Sequence, residues 1–292
     1  MSESTYFTIK FRDLVAQYAH KSPEFKFNAL KAKKSFGQHF LKEESISQRI
    51  AQSLIHLEKY HHILEVGPGM GMLTKYLLQI PDHQLTVVEA DTDMVDYLKE
   101  HYAQLSGHII SDDFLKVNLS DYYQDQQFAI IGNFPYNISS QIMIKALDNR
   151  DNVPEVVGMF QKEVAERIAA GPGNKEYGVL SVLMQAYYDI KYLFTVKPGS
   201  FNPPPKVMSG VIALVRKENY KALGCNDQLF RTLVKAAFNQ RRKMLRNSLK
   251  PFLPKEIIEA DAFYELRPEQ LSVQQFVFLT NQVEAFRDKE EN

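Results

Sequence analysis

Four consecutive residues, Asn133-Phe134-Pro135-Tyr136, combine groups able to hold a nucleobase amine for alkylation. An asparagine amide oxygen accepts hydrogen bonds, a proline keeps its carbonyl but has no N–H, and a tyrosine offers a flat face for stacking. The four follow an apolar run, Phe128-Ala129-Ile130-Ile131, so taken alone they also fit an ordinary strand-to-turn junction. The ends of the neighbouring strands separate the two readings.

Upstream, Glu65-Val66-Gly67-Pro68-Gly69-Met70-Gly71 lies where a short apolar strand meets a helix. Glycines at such a junction let the backbone turn sharply and approach a ligand closely. The spacing is G-x-G-x-G. A dinucleotide fingerprint would need glycine where Met72 stands, and the Gly-Lys-Ser/Thr of a phosphate-cradling loop is absent. A loop without phosphate-binding features suits a nucleoside-type cofactor without pyrophosphate, and S-adenosylmethionine fits. Glu89 ends the next strand about 20 residues on, where a carboxylate accepts ribose hydroxyls. Asp113 follows the third strand, placed to receive an adenine amine, with Phe114 beside it for the ring. Either acid alone fits a loop or a helix cap. In a parallel sheet all these strand ends open on one edge, so Gly67, Gly69, Glu89, Asp113, Phe114 and the Asn133 box converge on a methyl-donor site.

The elements that position them alternate. Strands are expected at 63–66, 85–88, 108–110, 128–131 and 156–160, and helices at 45–57, 73–80, 94–105, 139–147 and from Glu163. Such alternation predicts an α/β fold with a parallel sheet covered by helices. Beyond it, 177–188 reads as helix, and 190–196 and 211–215 read as a strand pair, antiparallel at one end of the sheet. A proline-rich loop, Phe201-Asn202-Pro203-Pro204-Pro205-Lys206, separates that pair. From about Asn226 the pattern is helical only, with Pro251, Pro254 and Pro268 as punctuation, so a boundary is expected near 219–226. A short helix near 11–18 is the one feature expected in the first 28 residues.

The 292-residue length suggests about two domains, and 45% hydrophobic residues indicate a packed protein. No apolar run approaches the roughly 20 residues of a membrane span. The N-terminus, with Glu3 and Asp13, lacks the character of a leader, and the single cysteine, Cys225, permits no internal disulfide, so a reducing, cytoplasmic setting is expected. No Cys/His grouping has metal-ligand spacing; His61-His62 reads as the start of a strand. Thirty-five basic and 35 acidic residues cancel. Locally they separate: 231–250 carries Arg231, Lys235, Arg241, Arg242, Lys243, Arg246 and Lys250 without an acid, and Lys31, Lys33 and Lys34 form a second basic group. The tail, with Glu284, Asp288, Glu290 and Glu291, leans acidic. Separated charge of this kind steers a polyanion to one face. The expectation is a basic helix that meets RNA phosphates.

The ordered segments 33–41, 65–71, 133–137, Gln161-Lys162-Glu163-Val164, 201–206 and Phe238-Asn239-Gln240-Arg241-Arg242-Lys243 resemble the ribosomal RNA adenine dimethyltransferases of the bacterial small-subunit type. The likeness runs from about residue 31 to the end. It implies a Rossmann-like class I methyltransferase domain at 31–222, with a seven-stranded, mostly parallel sheet, and a small all-helical RNA-binding domain at 223–292. Residues 1–30 would be an extension. It implies dimethylation of two adjacent adenosines in the 3′-terminal hairpin of small-subunit rRNA, in an immature 30S particle, by a monomer using S-adenosylmethionine. Gln38, His39 and Leu41 would join the donor pocket, and Asn133, Pro135 and Tyr136 would hold the target base. Phe134 stands where leucine is commoner in the family, and His39 where asparagine also occurs. Phe201 is expected to close on the second face of the flipped adenine, although an aromatic before three prolines also anchors turns. Arg241, Arg242 and Lys243 are expected to bind RNA. A large-subunit adenine methyltransferase conferring antibiotic resistance, a non-catalytic assembly factor of the same fold, and a small-molecule methyltransferase are the competing readings.

Overall fold

A computed structural model describes residues 38–290. The expected helix at 11–18, the basic group Lys31, Lys33 and Lys34, the start of the 33–41 segment and Glu291 lie outside the described residues. In chain order the elements are β1 (Phe40–Leu41), α1 (Glu44–Ala51), β2 (His62–Val66), α2 (Thr74–Leu77), β3 (Gln84–Glu89), α3 (Thr92–His101), β4 (Ile109–Ser111) and α4 (Ser120–Tyr123). Then come β5 (Phe128–Asn133), α5 (Ser139–Asp148), β6 (Glu155–Gln161), α6 (Lys162–Ala169), α7 (Val179–Tyr187), β7 (Tyr188–Val196), β8 (Phe201–Asn202) and β9 (Ser209–Arg216). Four helices close the chain: α8 (Asp227–Asn239), α9 (Leu245–Ser248), α10 (Lys255–Ala260) and α11 (Val273–Glu290).

The chain divides into two compact units, and five strands of the seven-stranded, mostly parallel sheet lie in the first, which comprises 38–160 with Val196–Met208. Their order is β4-β3-β2-β5-β6, all parallel, with Ile63 level with Leu85 and Ala129, and Ile130 level with Val156. Apolar side chains alternate to both faces of these strands, so Ile63, Leu64 and the run Phe128–Ile131 are buried throughout. The chain moves outward from β2 to β3 and β4, then returns past β2 to β5 and β6. That reversal opens a crevice at the carboxyl ends of β2 and β5, the place where such sheets take ligands. The glycine loop follows β2, and Asn133 is the last residue of β5.

Several expected helices are shorter. The 73–80 segment keeps one turn, α2, from Thr74 to Leu77. The helix expected from Met94 starts at Thr92, since the Asp91 side chain caps it by accepting the Asp93 N–H at 3.1 Å. It ends at His101, followed by a separate 3-10 turn, Ala103–Leu105. The helix expected over 45–57 stops at Ala51. The proline-rich segment is not wholly loop: β8 pairs antiparallel with β1, Leu41 opposite Phe201 and Phe40 opposite Asn202.

The second unit, Gln161–Thr195 with 209–290, holds β7 and β9 as neighbours and the C-terminal helices. Gly210 of β9 leaves room for the Tyr192 ring of β7, which a Cβ there would meet at 2.9 Å. Helix α8 buries Leu229, Phe230, Leu233, Val234 and Ala237 along one face, and Asn226 caps it by accepting the Leu229 N–H at 3.0 Å. The basic-helix expectation needs correction. The helix ends at Asn239, and Arg241, Arg242 and Lys243 stand on the turn after it, where Gln240 leaves helical geometry.

Candidate active site

One cavity of about 590 Å³ opens at the carboxyl ends of the parallel strands, entirely within the first unit. Every residue expected to contact a methyl donor lines it: Gln38, His39, Leu41, Gly67, Gly69, Glu89, Asp113, Phe114 and Asn133, and Pro135 and Tyr136 line it too.

The glycine loop is held from both sides. Gly69 has φ +55°, and a Cβ there would come within 2.9 Å of the Phe40 ring. Gly71 has φ +79°, and a Cβ there would overlap the Tyr102 ring at 2.5 Å. Only glycine meets both conditions, left-handed backbone and an aromatic wall. Tyr102 donates its hydroxyl to the Gly71 carbonyl at 3.0 Å and fixes the loop from below.

Glu89 sits in a network that the sequence reading only half foresaw. Its carboxylate accepts the Gly69 N–H at 3.1 Å and the Asp91 N–H at 3.0 Å. Asp91, itself buried, accepts Gln38 Nε2–H at 3.0 Å. Burial pushes the Glu89 carboxyl above its ordinary range, and the backbone donors from Asp91 and Gly69 pull it back. Two N–H bonds leave lone pairs on Glu89 for further donors. Glu65, at the floor of the cavity, is fully buried and accepts the Thr74 hydroxyl at 2.6 Å; burial pushes it up to about 8. Asp91 is not among the expected site residues, although an acid immediately before a helix is a legible signal, and Glu65 is expected only as the start of the glycine loop, with no role for its carboxyl.

At the end of β5 the Asn133 side chain is oriented by its donor end, for Nδ2 donates to the His39 carbonyl at 3.0 Å. The amide oxygen is therefore the end left to accept. The Pro135 carbonyl accepts the Ile138 N–H at 3.2 Å, which occupies one of its two lone pairs. The Tyr136 ring lies beside the His39 ring, centroids 5.5 Å apart, and His39 Nδ1 is 2.8 Å from the Pro203 carbonyl. Between these residues Phe134 turns the other way, into the core, 1% exposed and edge-on to Phe160. Its ring fills a socket formed by two glycines, since a Cβ on Gly132 or Gly158 would meet it at 2.8 or 2.3 Å. The Phe134 ring thus fills the space left by missing side chains on β5 and β6.

The loop after β4 is a single helical turn. The Asp113 carbonyl accepts the Lys116 and Val117 N–H groups, and its side chain accepts the Leu115 N–H at 3.0 Å. Phe114 is buried beneath the cavity wall.

Phe201 departs from expectation. It is 1% exposed, paired across from Leu41, and does not line the cavity. Its ring anchors the turn that begins the proline segment, so it offers no open face to a base. The basic residues lie in the second unit. Arg241 donates to the Lys175 carbonyl, and Arg242, Lys243, Lys235 and Lys250 are exposed. Arg231 pairs with Asp227 at 3.3 Å and Arg246 with Glu265 at 3.9 Å, acids that lie outside the 231–250 window.

The family model for ribosomal RNA adenine dimethylase matches residues 29–283. A ribosomal RNA small subunit methyltransferase A of Flavobacterium johnsoniae is 56% identical over 256 residues, covering 88% of this chain and 97% of that one. Among solved structures, a dimethyladenosine transferase from Plasmodium falciparum has the same fold, with a TM-score of 0.69 at 24% identity over 84% of this chain and 98% of its own. The 23S rRNA methyltransferase ErmE gives 0.62 at 25% identity, over 83% of this chain and all of its own.

Proposed function

This chain belongs to the ribosomal RNA adenine dimethylase family of methyltransferases, and we propose on that ground that it dimethylates two adjacent adenosines in the 3′-terminal hairpin of small-subunit rRNA. The donor is S-adenosylmethionine, the substrate an immature 30S particle, and the enzyme acts as a cytoplasmic monomer. Residues 31–222 form the methyl-transfer domain and 223–292 the RNA-binding domain. The observation that carries the reading is the meeting of the Asn133 box with Glu89 and Asp113 around one cavity.

The residues present fit that donor. Three acids, Glu89, Asp112 and Asp113, line the cavity against one lysine, Lys116, above Glu65, which burial holds in its neutral form. A pyrophosphate would be repelled there, whereas hydroxyl, amine and cationic groups find acceptors. Glu89 keeps acceptor capacity for ribose hydroxyls and Asp113 for an adenine amine, with Phe114 at the ring. Bound there, the donor supplies an electrophilic methyl on a sulfonium.

The chain's own work is on the acceptor. An exocyclic adenine amine is a weak nucleophile because its lone pair is delocalised into the ring. Asn133 Oδ1 and the remaining lone pair of the Pro135 carbonyl accept its hydrogens and localise that pair. His39 enforces this by holding the donor end of the Asn133 amide away from the amine. No strong base is required, because the nitrogen becomes acidic only after attack and then loses its proton to water. Tyr136 stacks on the extruded base, a contact worth about 1–3 kcal/mol. Positioning and fixed dipoles supply most of the acceleration.

Transfer of tritiated methyl groups to immature small subunits tests the proposal. Label in two adjacent small-subunit adenosines supports it; label in large-subunit rRNA favours the resistance-type alternative, and no label favours an assembly factor.

A further inference from the structure

The loop that carries Asp113 and Phe114 is tied to the helix that follows the target-base box by the side chain of Lys145 on α5. Its Nζ donates to the Phe114 carbonyl at 2.5 Å and to the Val117 carbonyl. The ammonium also lies 4.9 Å from the centre of the Phe114 ring. Both carbonyls sit at the open end of the single turn begun by Asp113, where no further helix continues to satisfy them. A cation at that end is the favourable partner. Lysine usually keeps its head in water; here burial pushes its pKa down while Asp113 and Asp112 pull it back. Helix α5 begins three residues after Tyr136, and its Ile142, Met143, Ala146 and Leu147 are buried in the core. The anchor of the loop is therefore rigid, and its helix follows the box directly in the chain.

We propose that Lys145 is a positioning residue that sets the adenine end of the donor cavity by clamping the Asp113–Phe114 turn onto α5. The inference rests on the donor-site reading above. Without the clamp, the turn would lose two charge-assisted hydrogen bonds and the ring its cation, and Asp113 would no longer be held at the cavity wall. Chemistry at Asn133 would be untouched once the donor is bound.

The test uses the full chain with Lys145→Met, which keeps the apolar stem, Lys145→Gln, and Lys145→Arg. Calorimetry measures the Kd for S-adenosylhomocysteine, and methyl transfer to immature small subunits gives KM for S-adenosylmethionine and kcat, with thermal melts alongside. The expected result for Met and Gln is a Kd and KM raised about tenfold with kcat at saturating donor near wild type, and recovery of most of the affinity by Arg. Unchanged Kd and KM in the Met and Gln variants overturn the inference. So does a lowered kcat and melting temperature with unchanged KM, which marks a purely structural contact. Wild-type protein that binds neither nucleoside overturns the donor-site reading itself, and this inference with it.

Discussion

In the proposed mechanism Asn133 accepts a hydrogen bond from an amine, and the His39 carbonyl, by taking the Nδ2 donor, leaves the amide oxygen for that role. Asn133→Ala is expected to lower kcat by about 10²–10³-fold, the usual cost of one fixed catalytic hydrogen-bonding group, while the melting temperature stays near wild type. Single-turnover methyl transfer beside a thermal melt checks this, and near-normal turnover would contradict it. The meeting of Asn133, Glu89 and Asp113 at one cavity was legible in the sequence because each is a polar residue at or just after the end of an apolar strand, and strand ends of a parallel sheet share an edge. Phe201 shows where that logic stops. Its side chain type suits stacking, but type does not report direction, and the pairing of Leu41 with Phe201 buries the ring. That pairing involves two residues on each side, too short to leave a periodic pattern. Lys145 was illegible for a related reason: its partners are backbone carbonyls 28 and 31 residues away, which have no sequence signature.

At the scale of elements, β2, β5 and β6 are coupled to the site through what fills the gaps between them. Phe134 occupies the space left by Gly132 and Gly158. Gly158→Ala is expected to destabilise the protein by about 1–3 kcal/mol through overpacking, and Phe134→Leu in the same chain should recover much of that loss. Denaturant titration of the two single variants and the double measures the coupling; strictly additive effects would show that the socket does not exist. Strand β2 carries a second device. Glu65 titrates at about 8 when folded, against about 4.3 for an ordinary glutamate. The folded state therefore holds the proton more tightly than the unfolded one. The stability linked to it is complete below the ordinary value and is lost as pH rises through about 8. The melting temperature of wild type should fall relative to Glu65→Gln between pH 5 and 9, and parallel profiles would contradict the assignment. Strand and helix order could be read from the alternation of apolar runs. Helix ends could not, because caps such as Asp91 and turns such as 103–105 depend on local hydrogen bonds that override periodicity.

Across the whole molecule, charge is the property that sequence and structure share most directly. A balance of 35 basic and 35 acidic residues conceals the exposed set Arg242, Lys243, Lys235 and Lys250 near the end of α8 and beyond. Neutralising Arg241, Arg242 and Lys243 together should reduce the slope of log K against log salt for RNA binding by about 2, at roughly 0.7 for each phosphate no longer neutralised. Filter binding over a salt series reads this, and an unchanged slope removes these residues from the interface. A parallel sheet was legible in the alternation of strands and helices and the helical end in the change of pattern near Asn226, while the seven-stranded, mostly parallel form was what the family resemblance implied. The division into two compact units was not, since each unit draws on two separate stretches of chain and sequence patterns are local. In the proposed function, the cavity at the strand ends holds a sulfonium nucleoside whose methyl goes to small-subunit adenosines. Primer-extension mapping of rRNA from cells lacking this protein tests it most directly. The account predicts that modification stops are lost at two adjacent adenosines near the 3′ end of small-subunit rRNA and return with the wild-type chain but not with Asn133→Ala. Unaltered stops at those adenosines in the deleted cells would contradict it.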